Sequence, residues 1–218
     1  MTTRPANFVV AHTMIDRPAL TPEITLHLTT ELMPLWHAIS DLLAYAGAEP
    51  PFRAFVWPGG QALARYVYVM DNLETVAGRR VLDIATGSDL VAIAAAMGGA
   101  SSVNANDFDP MSLAAVALNA ELNNVAVTNS GDNLTNLSTK EDWDIVLTGD
   151  VFYNREMSAR FAHWLCTRTA SGALVLIGNP NRAYLPTEGL ERIRSYDVRT
   201  SLNFENATVL TTTIWRIS

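Results

Sequence analysis

Apolar positions along this 218-residue chain follow two patterns: short unbroken runs, and longer stretches with a helical repeat. The clearest run, Val81, Leu82 and Ile84, passes through the small residues Ala85 to Ser88 into the alanine-rich stretch up to Ala96. A strand covered on both faces of a parallel sheet is apolar without alternation, and a tight turn into a helix needs small side chains. The stretch therefore predicts strand, turn, and a helix from about Asp89. Gly98 and Gly99 stop that helix. Ser102–Ala105 then reads as a second strand, Met111–Asn124 as an apolar-faced helix, and VAVTNSGDNL as a third strand ending near Asp132. WDIVLTGDVFY (Trp143 to Tyr153) predicts a fourth strand ending at Asp150, followed by a helix over about 155–170 and a fifth strand at Ala173–Pro180. TEGLERIR predicts a short helix, and YDVRTSLNF and TVLTTTIWRI two final strands turning at Glu205–Ala207. Strands alternating with helices predict an α/β fold with a parallel, doubly wound sheet, in which the closing hairpin makes the last strand antiparallel.

Residues 1–56 stand apart from this alternation. FVVAHTMI reads as a short strand, TPEITLHLTTEL as extended or helical, and PLWHAISDLLAYA as a helix with Leu35, Ile39, Leu42 and Leu43 on one side. Pro50 and Pro51 end any helix there. This segment is expected to be a cap that recognises substrate, laid over a domain spanning 57–218. That domain opens with FVWPGGQALARYVYVMDN: a turn at Pro58–Gly60, then a helix over Gln61–Asn72 with Leu63, Tyr66, Val67 and Met70 on one face. Glycines permit close approach to a ligand, which would bring Trp57 and Gln61 to it. Packing of Trp57 in the core explains the same residues equally well.

Asp83, Asp107, Asp132 and Asp150 all lie at or near the carboxyl ends of predicted strands, where sheets of this type bind ligands. The start of the helix after Ser88 offers unpaired N–H groups and a positive dipole end. Asp107 follows Asp83 by 24 residues, close to the roughly 20-residue spacing at which a carboxylate meets ribose hydroxyls. A dinucleotide would bring a pyrophosphate that Asp83 and Asp89 repel, and no Lys or Arg stands in the turn. S-adenosylmethionine brings an ammonium and a sulfonium, both cationic, and suits the acids better.

Composition narrows the partners. A net charge of −7 argues against nucleic acid, because backbone phosphates need clustered Lys and Arg. It is compatible with a cationic ligand or a basic protein segment. With 49% hydrophobic and 17% charged residues the chain is globular. Cys166 stands alone, so no internal disulfide forms, and neither it nor the scattered histidines has metal-ligand spacing. A buried structural thiol and no metal site are expected. No run of 18 apolar residues suggests a membrane span, and MTTRPANFVV carries no signal pattern, so a cytoplasmic location is expected.

Several motifs then carry a family resemblance. DVFY (Asp150 to Tyr153) resembles the [DE]xx[YF] signature after strand four of a protein-lysine methyltransferase family, within the seven-β-strand class that uses S-adenosylmethionine. WPGGQALARY, ANDFDP, RAYLP and the N-terminal PEITLHL…PLW are similar to the branch acting on the electron transfer flavoprotein beta subunit. The resemblance implies a Rossmann-like seven-stranded sheet and an enzyme that methylates lysines of a protein, that flavoprotein subunit in particular; a monomer is expected. Asp83 and Gly87, with Ala85 and Thr86, would line the methionine end of the cofactor. Trp57, Gly59 and Gln61 would contact it from the other side, Asp107 and Phe108 by the ribose, Asp132 by the adenine. Asp150, also in reach of cofactor, would bracket the target lysine with Tyr153. The class usually has glycine where Ala85 and Asp89 stand, and GNPN replaces a more acidic GDPG before RAYLP. A ribosomal-protein or small-amine methyltransferase, or a non-enzymatic module keeping the fold, remains as an alternative.

Overall fold

Val81 to Ile84 is buried on both sides, as its unbroken apolar run requires. Val81 faces one core with Leu63, Val67, Ile93 and Leu147. Leu82 and Ile84 face a second with Val146, Phe152, Trp164, Leu165 and Ile177. The computed structural model describes residues 4–29, 55–68, 73–136, 142–202 and 205–218. In chain order these form α1 (Arg4–His12), β1 (Met14–Asp16), β2 (Leu26–Leu28), α2 (Pro58–Tyr68), α3 (Leu73–Val76), β3 (Arg80–Ile84), α4 (Leu90–Met97) and β4 (Ser102–Asn106). There follow α5 (Pro110–Leu122), β5 (Thr128–Ser130), a 3-10 turn (Leu134–Asn136), β6 (Ile145–Gly149), α6 (Arg155–Ala170), β7 (Leu174–Asn179), β8 (Leu190–Arg199) and β9 (Val209–Ile217).

Seven strands make one sheet in the order β5-β4-β3-β6-β7-β9-β8. β3 to β7 pair in parallel, and β9 runs antiparallel to both β7 and β8. The fold is thus the Rossmann-like, doubly wound sheet with its last strand antiparallel. From β3 the chain moves outward through β4 to β5, then returns to β6 on the other flank. That reversal opens a crevice beyond the carboxyl ends of β3 and β6, where Asp83 and Asp150 lie.

Local chemistry fixes the helix starts beside this edge. Asp109 caps α5 by accepting from the Met111 amide, with Pro110 in the first turn. Asn154 caps α6 by accepting from the Glu156 and Met157 amides. The β1–β2 hairpin is held to α5 by paired amides: Asn123 donates to the Thr25 carbonyl at 2.6 Å and accepts from its N–H at 2.9 Å. Asn119 accepts from the His27 N–H at 2.7 Å.

Three expectations from sequence give way. FVVAHTMI is helical through His12, because Val9 is buried and Phe8 stacks on His12 one turn later, ring centroids 4.2 Å apart. TEGLERIR is no helix: from Leu190 it is β8, paired with β9 from Leu190↔Ile217 to Arg199↔Val209. Partner pairing decided what local propensity could not. Cys166 is exposed on the outer face of α6, whose inner face is Phe161, Trp164 and Leu165. The predicted helix PLWHAISDLLAYA, like Met70, lies outside the described residues. Among the described residues no helix is long and apolar enough to cross a membrane.

The first turn of α2 crosses the ends of β6 and β7 with backbone against backbone. A Cβ on Gly178 would overlap the Gly59 carbonyl, and one on Gly149 would stand 2.8 Å from the Gly60 nitrogen. Gly178→Ala is therefore expected to lower the melting temperature by about 3 to 10 °C in calorimetry. Gly60→Ala, whose Cβ would meet only Val91, at 3.9 Å, among the described residues, should leave it level or raise it. Equal losses in the two variants would refute this close approach.

Candidate functional site

The turn between β3 and α4 is left-handed at three alternate positions: Ala85 (φ 57°), Gly87 (φ 55°) and Asp89 (φ 58°). For a residue with a side chain that conformation costs roughly 1–2 kcal/mol. The turn keeps its shape although glycine occupies only the middle position. Hydrogen bonds hold it. Thr86 N–H donates to the Asn106 carbonyl (3.1 Å) and Asp89 N–H to the Thr86 carbonyl (2.9 Å). The buried Asp83 carboxylate accepts from the Thr86 hydroxyl at 2.5 Å and from the Ala92 N–H at 3.1 Å. Asp107, at the end of β4, accepts from the Gly87 N–H through one oxygen and the Asp109 N–H through the other, both at 3.0 Å. Asp83, Thr86, Gly87 and Asp107 therefore form one bonded constellation. Burial pushes Asp83 up to about 7 against the pull of its hydrogen bonds, with the Asp107 charge adding to the rise. Burial also raises Asp107.

Asp89 does not project into the crevice. Its carboxyl is fully buried and accepts from the Asn119 side-chain amide at 2.9 Å, while Oδ2 has no hydrogen-bond partner among the described residues. Burial raises its pKa well above the ordinary carboxyl value. The acid that replaces the usual glycine thus belongs to the junction of α4, α5 and β2. Phe108 is 63% exposed. Asp132 is exposed beyond β5, with its carbonyl accepting from the Asn106 side chain at 3.0 Å.

The second constellation centres on Asp150, left-handed (φ 58°) and buried just past β6. One carboxylate oxygen accepts from the Gly59 N–H at 2.5 Å. The other receives Nε and Nη2 of Arg182, at 2.8 and 2.7 Å. Arg182 also makes a two-pronged bond to Glu205 at 3.1 and 2.5 Å, and its guanidinium lies 5.7 Å from the Trp57 ring centroid. Burial pushes Asp150 up to about 6, with Arg182 and the Gly59 amide pulling it down and Glu205 adding to the rise. The hydroxyl of Thr148 on β6 donates to the Ile84 carbonyl on β3 at 3.0 Å and ties the two constellations together.

Tyr153 shares the DVFY loop but faces outward, 52% exposed, at a hollow of ≈ 780 Å³ also lined by Tyr184, Asn154, Arg155 and Arg160. The Tyr184 N–H donates to the Phe152 carbonyl at 3.2 Å, which lays the RAYLP loop across DVFY. Gln61 donates from Nε2 to the Val56 carbonyl at 2.9 Å, and its Oε1 is buried without a partner among the described residues. Trp57 is half-buried. Arg182 and Glu205 were not among the residues singled out from sequence. Arg182 lay within RAYLP, whereas Glu205, in the β8–β9 turn, carried no signal. Among the described residues no cluster of His, Cys, Asp and Glu has the arrangement of a metal site.

These residues fit a cationic nucleoside. Asp83, Asp107, Asp150 and Glu205 outnumber Arg182, and the buried Gln61 Oε1, without a partner among the described residues, can accept from a donor on such a ligand.

A family model described as ribosomal protein L11 methyltransferase matches residues 66–149. The electron transfer flavoprotein beta subunit lysine methyltransferase of Danio rerio is 38% identical over 221 residues, covering 96% of this chain and 82% of that protein. Its Homo sapiens counterpart is 37% identical over 204 residues, covering 90% and 75%. The ribosomal protein L11 methyltransferase of Geobacillus thermodenitrificans is 45% identical, but over 76 residues, 34% of this chain and 22% of that one. Among solved structures, one described as a candidate RNA methyltransferase of Pyrococcus horikoshii superposes with a TM-score of 0.58 at 16% identity, covering 87% of this chain and 98% of that one. A candidate methyltransferase complexed with S-adenosylhomocysteine gives 0.52 at 13% identity, covering 74% and 50%. These two establish the shared fold.

The folded pKa of Asp83 lies above its ordinary value, so the folded protein holds that proton more tightly than the unfolded chain. Its contribution to stability is full below about pH 4 and is lost as pH rises through about 7. Asp83→Asn removes this penalty. The melting temperature of the variant minus that of the wild type should be more positive at pH 8 than at pH 5. A difference that stays constant across that range would contradict the raised pKa.

Proposed function

The chain belongs to the electron transfer flavoprotein beta subunit lysine methyltransferase family, and on that premise we propose that it methylates lysine side chains of that subunit, using S-adenosylmethionine. The observation that carries this reading is Asp150: a buried carboxylate at the crevice, in a cluster whose two acids exceed its one guanidinium. Such a cluster attracts an ammonium group. The ribosomal-protein match, residues 66–149, ends one position short of Asp150. It supports the methyl donor and leaves the substrate side to the longer relatives.

Asp83, Ala85, Thr86 and Gly87 hold the methionine end of the donor, Trp57, Gly59 and Gln61 its other side, Asp107 with Phe108 the ribose, and Asp132 the adenine edge. When bound, S-adenosylmethionine supplies a methyl group on a positively charged sulfur. The lysine nitrogen forms the new N–C bond as the C–S bond breaks, and the amine must first shed a proton. Free lysine holds that proton with a pKa near 10.4. A carboxylate favours the ammonium, so Asp150 binds and orients the side chain, and the proton leaves to water at the exposed Tyr153 side. The Tyr153 ring adds roughly 0.5–2 kcal/mol by contact with the cation. Alignment of amine and methyl is the larger effect. Residues 1–56, of which α1 and the β1–β2 hairpin are described, form a cap toward the substrate, and 57–218 the catalytic domain.

Incubation with radiolabelled S-adenosylmethionine and the isolated flavoprotein subunit should place label on lysine. Asp150→Asn keeps an oxygen for the Gly59 amide, so its affinity for S-adenosylhomocysteine should stay near that of the wild type. Its kcat/KM should fall about 100-fold or more. No label with the wild type, or full activity in the variant, would overturn the assignment.

A further inference from the structure

Arg182 sits where four parts of the site converge, and the catalytic reading above gives it no task. Its backbone is pinned by donation to the Asn179 side-chain oxygen at 2.7 Å, and its side chain is only 20% exposed. Its guanidinium bonds Asp150 with two nitrogens, Glu205 with two, and stacks on Trp57. Among the described residues the charged and polar groups meeting Asp150 are Arg182 from the loop after β7, Glu205 from the β8–β9 turn and the Gly59 amide at the start of α2. Arg182 is the cation of that set.

We propose that Arg182 is a positioning residue that keeps the Asp150 carboxylate charged and fixed in direction for the incoming ammonium, with Glu205 holding Arg182 in place. This rests on the assignment of Asp150 to the target lysine. Without a cation at this site, burial would protonate Asp150 near neutral pH, and a neutral carboxyl attracts no ammonium. Glu205 occupies two guanidinium nitrogens, so Arg182 remains anchored when a lysine enters and shares the Asp150 oxygens. A planar fork serves two carboxylates at once; an ammonium on a flexible stem does not.

Carbon-13 NMR of labelled aspartate carboxyls reads the Asp150 titration directly, without substrate. Arg182→Gln should raise its midpoint by about 1–3 pH units. Arg182→Lys, which keeps the charge, should leave the midpoint within about half a unit of the wild type while lowering kcat through poorer alignment. In kinetics, log kcat/KM climbs with pH as the lysine loses its proton, and climbs more steeply below the Asp150 midpoint. That break should move upward with the NMR midpoint in Arg182→Gln. A role confined to tying loops together would lower the melting temperature and activity of Arg182→Gln with both midpoint and break unmoved, and would overturn the proposal. If Arg182→Gln does not fold, a midpoint in Arg182→Lys more than about one unit above the wild type overturns it instead. Absence of methyl transfer by the wild type would overturn the proposed function, whatever the titration shows. An unmoved midpoint in a wild-type-active background overturns this inference alone.

Discussion

Backbone touching backbone at the carboxyl edge of the sheet is the constraint on which the site depends. Gly59 and Gly60 lie against Gly149, Gly178 and Asp150 with no room for a Cβ on Gly59, Gly149 or Gly178. Only this approach lets the Gly59 amide reach the Asp150 carboxylate, places Trp57 beside Arg182, and brings α2 over β6 and β7. The glycines contribute no packing area of their own. Anchorage comes from the buried Leu63, Tyr66 and Val67 farther along α2, so one short helix divides its length between fixing the sheet and shaping the crevice.

A second feature follows from crowding acids at that edge. Asp83, Asp89, Asp107 and Asp150 are each raised, and in each burial is the leading cause. Water has been removed from groups that would otherwise be ionised, at the expense of stability, and concentrations of perturbed groups of this kind mark functional sites. A cationic donor and a cationic substrate are the partners that would restore their charge. Asp89 is the exception: bonded to Asn119, which also receives the His27 amide of the N-terminal hairpin, it links the β3–α4 turn to that hairpin without entering the crevice.

Much of this was legible in the sequence. The unbroken apolar run at Val81–Ile84, the apolar face of Met111–Asn124 and the glycine pair after α4 each act locally, so β3, α4 and α5, like α6, emerged close to their true bounds. The placing of Asp83, Asp107, Asp132 and Asp150 at or just past strand ends follows from the alternation of strands and helices. What failed was decided by distant partners. Leu190–Arg199 has a helix-compatible beginning but finds β9 along its whole length. Asp89 had to be placed by Asn119, thirty positions later. Arg182 and Glu205 meet only because the β8–β9 turn folds back over the end of β7, and no spacing in the chain announces it. Cys166 in an apolar stretch looked buried, yet the helical repeat puts it opposite Trp164 and Leu165.

A crystal structure of the protein with S-adenosylhomocysteine and a lysine-containing peptide of the flavoprotein subunit tests the site most directly. The expected result is a lysine amine within hydrogen-bond distance of the Asp150 carboxylate, its stem against Tyr153, with the ribose hydroxyls on Asp107. A lysine seated elsewhere, with Asp150 bonded only to Gly59 and Arg182, would contradict the assignment of this carboxylate to the substrate.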